Sequence, residues 1–107
     1  MRKAVITGMG VVSPVGNDID TFWASIKAGK SGLGPITRFD AAGFDSRVAA
    51  EVKDFDPSLY MDRKDARKMA LFTQFAVAAA VQAWRDAGLD GSSIDLERTA
   101  VMLGNGI

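Results

Sequence analysis

The sequence predicts an α/β fold in which apolar strands and helices pack in layers. Two short apolar segments, residues 3–8 and 99–103, have the length and composition of buried strands. A long segment between them, residues 62–87, has the length of a helix, and its entirely apolar part, residues 75–81, has the composition of a buried one. Segments of both kinds in one chain favour a layered α/β architecture over an all-helical one.

The first strand is predicted over residues 3–8, where Val5 and Ile6 are adjacent and apolar. Two neighbouring apolar residues indicate that both faces of the strand are covered. A glycine-rich turn then leads to a helix capped by Asn17 or Asp18 and ended by Gly29. The apolar face of that helix consists of Ile19, Phe22, Trp23 and Ile26.

The middle of the chain is predicted as a loop over residues 30–46 and a short strand over residues 47–55, followed by a turn at Asp56-Pro57. One long helix is predicted next, from an Asp62 cap to a stop at Gly88. Residues 75–81 of this helix are all apolar, so we expect it to be buried on every side.

The second buried strand, residues 99–103, runs directly into Gly104-Asn105-Gly106-Ile107. A domain of 107 residues seldom surrounds a helix that is apolar all round. We therefore expect residues 1–107 to be an incomplete part of one larger domain, with no domain boundary inside them.

Composition excludes several classes of function. The chain has 13 basic and 13 acidic residues and no net charge, which argues against binding nucleic acid through overall basicity. Cysteine and histidine are both absent, so these residues lack the parts for Ser-His, Cys-His or zinc chemistry. The apolar N-terminus is interrupted by Gly8 and Gly10 and has no cleavage signal. With no apolar run long enough to span a membrane, we expect a cytoplasmic protein with no membrane partner.

Gly8, Gly10 and Ser13 resemble a dinucleotide-binding fingerprint, in which backbone amides at a helix N-terminus hold a pyrophosphate. Pro14 follows at once, and the helix is capped only near Asn17, so the turn is long for that purpose. Structural glycines in a strand-to-helix connection are the favoured interpretation. A small nucleotide-binding α/β module remains the alternative from a different class.

Four basic residues crowd the start of the predicted long helix: Arg63, Lys64, Arg67 and Lys68. Three of them, Lys64, Arg67 and Lys68, are spaced to lie on one helical face. Cations near a helix N-terminus interact unfavourably with the helix dipole. A locally unfavourable placement of this kind is one mark of a functional surface. A solvated helix start, partly neutralised by Asp62 and Asp65, is the structural alternative.

Several segments together resemble the β-ketoacyl-acyl-carrier-protein synthases, and the elongating type II bacterial synthase in particular. The resemblance extends in order over essentially all 107 residues. It is carried by residues 5–16, 22–23, 30–32, 36–40, 52–55, 61–69 and 104–107.

The resemblance implies a thiolase-like fold, layered α-β-α-β-α, in a homodimer. Residues 1–107 would then be the N-terminal portion of that ketosynthase domain, the first part of its N-terminal half. It implies a decarboxylative Claisen condensation of an acyl-enzyme thioester with malonyl-carrier protein in fatty acid elongation. The cysteine nucleophile and two histidines of that reaction lie outside this segment, which is not expected to be active alone. No catalytic residue, cofactor or metal is therefore assigned within it.

Two groups of site residues follow from the resemblance. Lys64, Arg67 and Lys68, with Arg63 beside them, match the docking surface for the acidic acyl carrier protein, which makes docking the favoured interpretation of this cluster. Ile107, with Gly106 before it, matches the border of the acyl-chain pocket near the dimer interface. A polyketide ketosynthase, a chain-length-factor homologue and a non-catalytic fragment that binds carrier protein remain as alternatives.

Overall fold

The computed structural model describes residues 1–106. In chain order its elements are α1 (Ile19–Lys27), β1 (Leu33–Pro35), β2 (Val48–Ala50), α2 (Arg63–Ala66) and α3 (Leu71–Asp86), with short 3₁₀ turns at Pro57–Leu59 and Leu96–Arg98. The two strands pair antiparallel, with Leu33 opposite Ala50 and Pro35 opposite Val48. Helices and strands are both present, but the described residues do not by themselves show a layered sheet.

Helix α1 begins and ends where the sequence predicts. The Asp18 side chain accepts a hydrogen bond of 2.8 Å from the Thr21 amide and so caps the first turn. Gly29 follows the last turn with a φ of 66°, in the left-handed region where a glycine is least strained.

The strands predicted over residues 3–8 and 99–103 are not present. Both segments lack regular secondary structure, and their apolar side chains are exposed: Ile6 by 84% and Met102 by 92%. A strand needs a hydrogen-bonded neighbour along its length, and no strand lies beside either segment within residues 1–106. An apolar pattern marks a segment suited to a sheet, but the partner strand has to come from elsewhere.

The region predicted as a loop, residues 30–46, contains β1, and only Val48–Ala50 of the strand predicted over residues 47–55 is formed.

The Glu51 carboxylate joins the two segments beyond the sheet. It accepts hydrogen bonds from the Thr37 amide (3.2 Å) and from the Thr37 hydroxyl (2.7 Å). These hydrogen bonds hold the pKa of Glu51 below its usual value because they stabilise the ionised form.

The single helix predicted over residues 62–87 is two helices with a break between them. Asp62 caps α2 as predicted, and Gly88, with a φ of 67°, follows the end of α3 as predicted. Between them Ala70 has an extended backbone (φ −63°, ψ 155°), which interrupts the helical ladder. The break contains neither glycine nor proline, so the local sequence does not predict it.

Helix α3 is held to the N-terminal segment mainly through the side-chain amide of Gln82. Its Oε1 accepts from the Val11 amide (3.1 Å), while its Nε2 donates to the carbonyl oxygens of Val11 (3.1 Å) and Asn17 (2.7 Å) and to the Tyr60 hydroxyl (3.2 Å). One turn later, the Asp86 carboxylate accepts from the Met9 amide (2.9 Å). These side chains provide for the N-terminal backbone the partners that a neighbouring strand would otherwise provide.

The core around α3 is small. Only Ala41, Ala66 and Ala78 are buried apolar residues in the part of the chain that the structure describes, and no large side chain there is fully enclosed. Phe72 on α3 is 72% exposed, so the prediction that the long helix is buried on every side is wrong for these residues. No helix within residues 1–106 is long and apolar enough to cross a membrane.

Replacing Gln82 with Met is expected to release the N-terminal segment from α3. The variant keeps the side-chain length but leaves the Val11 amide and carbonyl without partners, which costs about 1–2 kcal/mol. Hydrogen exchange of a peptide spanning residues 8–17 should therefore speed up by about 5- to 30-fold in the complete polypeptide. Arg85→Met, which also introduces a methionine on α3 but at an exposed position, is the control. Equal exchange rates in the two variants would contradict this role of Gln82.

Candidate functional site

The four predicted basic residues lie along α2 and the turn that follows it. Arg63 and Lys64 lie in α2, Arg67 is its C-terminal cap, and Lys68 lies in the turn that follows. All four side chains are exposed, and within residues 1–106 none of them forms an ion pair. We call these four residues the basic surface.

The helical backbone continues through Arg67 although the predicted long helix is broken. Arg67 has helical dihedral angles (φ −63°, ψ −22°), and its amide donates to the Arg63 carbonyl (3.2 Å). The Lys68 amide donates to the Asp65 carbonyl (3.0 Å), which tightens the final turn. Because the backbone turns helically through Arg67, Lys64 and Arg67 remain neighbours.

Three acidic residues limit the charge of this surface: Asp65 within α2, and Asp62 and Asp56 before it. Asp62 uses its carboxylate as the cap of α2 and accepts from the Lys64 amide (3.2 Å). Asp56 accepts from the Ser58 hydroxyl (2.6 Å) and amide (2.9 Å). These hydrogen bonds, and to a smaller extent the charge of Arg63, hold the pKa of Asp56 below its usual value, so it stays ionised at neutral pH. The surface is a local concentration of positive charge with an acidic border.

The glycines of the nucleotide-like motif pack directly against α3. A Cβ atom on Gly8 would lie 2.6 Å from the Ala87 nitrogen, and one on Gly10 would lie 2.8 Å from the Gln82 Cβ. The Met9 and Val11 amides already donate to side chains of α3. Because those amides are engaged and the glycines face a helix, the structural interpretation is confirmed and the nucleotide-cradle interpretation is wrong.

A groove of about 530 Å³, which the sequence did not predict, lies between the start of α1 and residues 53–60. The Asn17 Nδ2 donates to the Lys53 carbonyl (2.7 Å), while the buried Asn17 Oδ1 has no partner. The Lys53 ammonium donates to the carbonyl oxygens of Gly32 (3.0 Å) and Glu51 (3.1 Å). Lys53 therefore holds loops together, and the groove contains no catalytic arrangement of side chains.

Gly106, one of the two predicted acyl-pocket residues, lies at the end of the described chain. A Cβ atom on Gly104 or Gly106 would meet no atom within 4 Å. Ile107 lies outside the described residues, and its role stays a prediction. Residues 1–106 contain no group of three or more acidic side chains placed to hold a metal ion.

Comparison with known proteins identifies the class to which this fold and surface belong. The model of the β-ketoacyl synthase N-terminal domain matches residues 1–107, and the chain belongs to that family.

Curated relatives of the chain indicate one kind of synthase within that family. The chain is 52% identical to 3-oxoacyl-[acyl-carrier-protein] synthase 2 of Coxiella burnetii and 47% identical to the synthase of that name from Vibrio harveyi, in each case over 106 residues. These alignments cover 99% of this chain and 26% of each relative, so the chain spans about a quarter of their length.

A solved structure of similar fold is the ishigamide ketosynthase/chain length factor. It superimposes with a TM-score of 0.72 at 44% sequence identity. The match covers 78% of this chain and 21% of that one. The ketosynthase membership predicted from the sequence is confirmed.

Replacing Gly10 with Ala tests the structural role of the glycine motif. The added methyl group would meet the Ala79 carbonyl and the Gln82 side chain, so we expect a loss of about 1–3 kcal/mol in stability. Gly43→Ala is the control because a Cβ there meets nothing within 4 Å. A lower thermal midpoint for Gly10→Ala alone supports the packing role. An unchanged midpoint together with weakened dinucleotide binding would restore the nucleotide interpretation.

Proposed function

We propose that this chain is the N-terminal part of a 3-oxoacyl-[acyl-carrier-protein] synthase that elongates fatty acids. The observation that carries the proposal is the identity of about half over nearly the whole chain to the Coxiella and Vibrio synthases. In the reaction, an acyl chain is first held as a thioester on a cysteine. A malonyl thioester on the carrier protein loses CO₂, and the resulting carbanion attacks the acyl carbonyl carbon. The C–S bond then breaks, and the thiolate returns to the enzyme.

The role we propose for the residues in hand is docking, not bond-making. The chain has no cysteine or histidine, so the nucleophile and the groups that stabilise negative charge belong to other parts of the enzyme. The basic surface is exposed and unpaired within residues 1–106, as a surface that receives an acidic partner requires. Lys64, Arg67, Lys68 and Arg63 would steer the acidic carrier protein to the enzyme.

The exposed apolar segments fit the same proposal. Val5, Ile6 and residues 101–103 are at least 77% exposed in the described chain. Apolar surface of this extent is normally covered by another part of the protein. Because the relatives are about four times as long, we propose that the remainder of the polypeptide covers this apolar surface. There these segments become strands of a thiolase-like, layered α-β-α-β-α fold, in a homodimer in the cytoplasm. Ile107 and Gly106 border its acyl pocket.

A second candidate function is that of a polyketide ketosynthase or a chain length factor. The observation that favours it is the similarity to the ishigamide ketosynthase/chain length factor. A catalytic subunit carries a reactive cysteine, and a chain length factor lacking that cysteine does not condense substrates by itself.

The condensation is tested with the complete polypeptide, acyl-carrier protein and malonyl-carrier protein. We expect release of CO₂, formation of 3-oxoacyl-carrier protein, and inactivation by a thiol alkylating agent. The alkylated peptide must lie outside residues 1–107, which contain no cysteine. Activity that survives complete alkylation, or a polypeptide without condensing activity, would contradict the proposal, and the latter would favour the chain length factor.

The docking role is tested by reversing two charges with Lys64→Glu and Arg67→Glu together. At low salt we expect the KM for malonyl-carrier protein to rise by about 10-fold or more, because two attractive contacts become repulsive. High salt should shrink the difference through screening. The matched control, Lys3→Glu with Lys27→Glu, makes the same change in net charge away from the basic surface. An equal rise in both double variants would show that only net charge matters.

A further inference from the structure

Gln74, one turn inside α3, connects this helix to the turn that carries the basic surface. Its side-chain Nε2 donates to the Ala66 carbonyl (2.9 Å) and to the Met69 carbonyl (3.2 Å). These carbonyls lie on either side of Arg67 and Lys68 in the chain. A single amide group therefore holds both ends of the segment that presents two of the four basic side chains.

Besides the side-chain bonds from Gln74, the segment is held by backbone hydrogen bonds of the turn, from the Lys68 amide to the Asp65 carbonyl (3.0 Å) and from the Met69 amide to the Ala66 carbonyl (3.2 Å). Helix α2 has only four residues, too few to be stable as an isolated helix. Ala70, at the start of α3, makes no side-chain capping bond. The carbonyls at the end of a helix lack partners in the helical ladder, and Gln74 gives the Ala66 carbonyl a second donor beside the Met69 amide. Ala66 itself is buried (7% exposed), whereas Arg67 and Lys68 are exposed.

The helix that carries Gln74 is anchored two turns further on by Gln82. The Gln82 side chain is hydrogen-bonded to the N-terminal segment and to Tyr60. Gln74 is half-buried, which limits competition from water for its two acceptors. The basic surface is thus tied, through one helix, to the part of the fold with the most long-range hydrogen bonds in the described chain.

We propose that Gln74 is a positioning residue that fixes Arg67 and Lys68 for the incoming acidic carrier protein. This inference rests on the docking function proposed above. Electrostatic docking selects one orientation only when the charges keep fixed relative positions, because ordering a mobile segment on binding costs affinity. Without the Gln74 amide, the same four charges remain, but the turn that bears two of them is held only by its own backbone hydrogen bonds.

The test compares Gln74→Met with wild type in the complete enzyme. Methionine keeps the length of the side chain and removes the donor. The KM for malonyl-carrier protein is measured beside the KM for a malonyl thioester of a small thiol, which has no protein to dock. We expect the ratio of the two KM values to rise by about 5-fold, the equivalent of one lost hydrogen bond. Arg85→Met, on the exposed side of α3, should leave the ratio unchanged.

A second variant, Gln74→Glu, keeps the size and polarity of the side chain and also lacks the donor. It should raise the ratio in the same direction and shows whether the effect of methionine comes from its apolar character. Thermal midpoints are measured for all variants. An equal rise in KM for both malonyl substrates, together with a lowered thermal midpoint, would show that Gln74 is only structural and would overturn the inference.

The charge-reversed Lys64→Glu, Arg67→Glu enzyme separates this inference from the docking proposal. If that enzyme shows a raised ratio and the Gln74 variants do not, docking stands and the positioning role is overturned. If the charge-reversed enzyme shows an unchanged ratio, the docking surface itself is wrong and the positioning role falls with it. A raised ratio in all three variants supports both.

Discussion

The arrangement of this chain depends on one side-chain amide, that of Gln82. It makes hydrogen bonds to both the amide and the carbonyl of Val11 and to the Asn17 carbonyl, as a paired strand would do with its backbone. The close approach that these bonds require is possible because Gly10 has no side chain to meet α3. Because few apolar residues within 1–106 are buried, hydrogen bonds contribute an unusually large share of the contacts that hold these segments together.

The same helix connects the fold to the surface assigned to carrier-protein docking. Its C-terminal half holds the N-terminal segment, and Gln74 in its first half holds the break that carries Arg67 and Lys68. Bond-making chemistry and partner recognition thus reside in different parts of the proposed enzyme. This division explains how a segment without cysteine or histidine belongs to a family of condensing enzymes.

What the sequence predicts correctly is local. Asp18, Gly29 and Gly88 mark helix ends because a cap needs only the residues beside it. The strands at residues 3–8 and 99–103 are not formed because a strand depends on a neighbour that no local pattern supplies. The break at Ala70 is not predicted because it contains neither glycine nor proline. The basic cluster is visible in the order of residues 63–68, whereas a glutamine in the first turn of a helix resembles an ordinary solvated residue.

The central claim is that the basic surface receives the acidic carrier protein, and the most direct measurement is zero-length cross-linking of the two proteins. The reagent joins carboxylates of the carrier protein to lysine ammonium groups, and mass spectrometry of the complete enzyme identifies each lysine. Lys3, Lys27, Lys30 and Lys53 serve as internal comparisons on the same chain. The account predicts cross-links at Lys64 and Lys68. Cross-links concentrated on the comparison lysines, with none at these two, would contradict it.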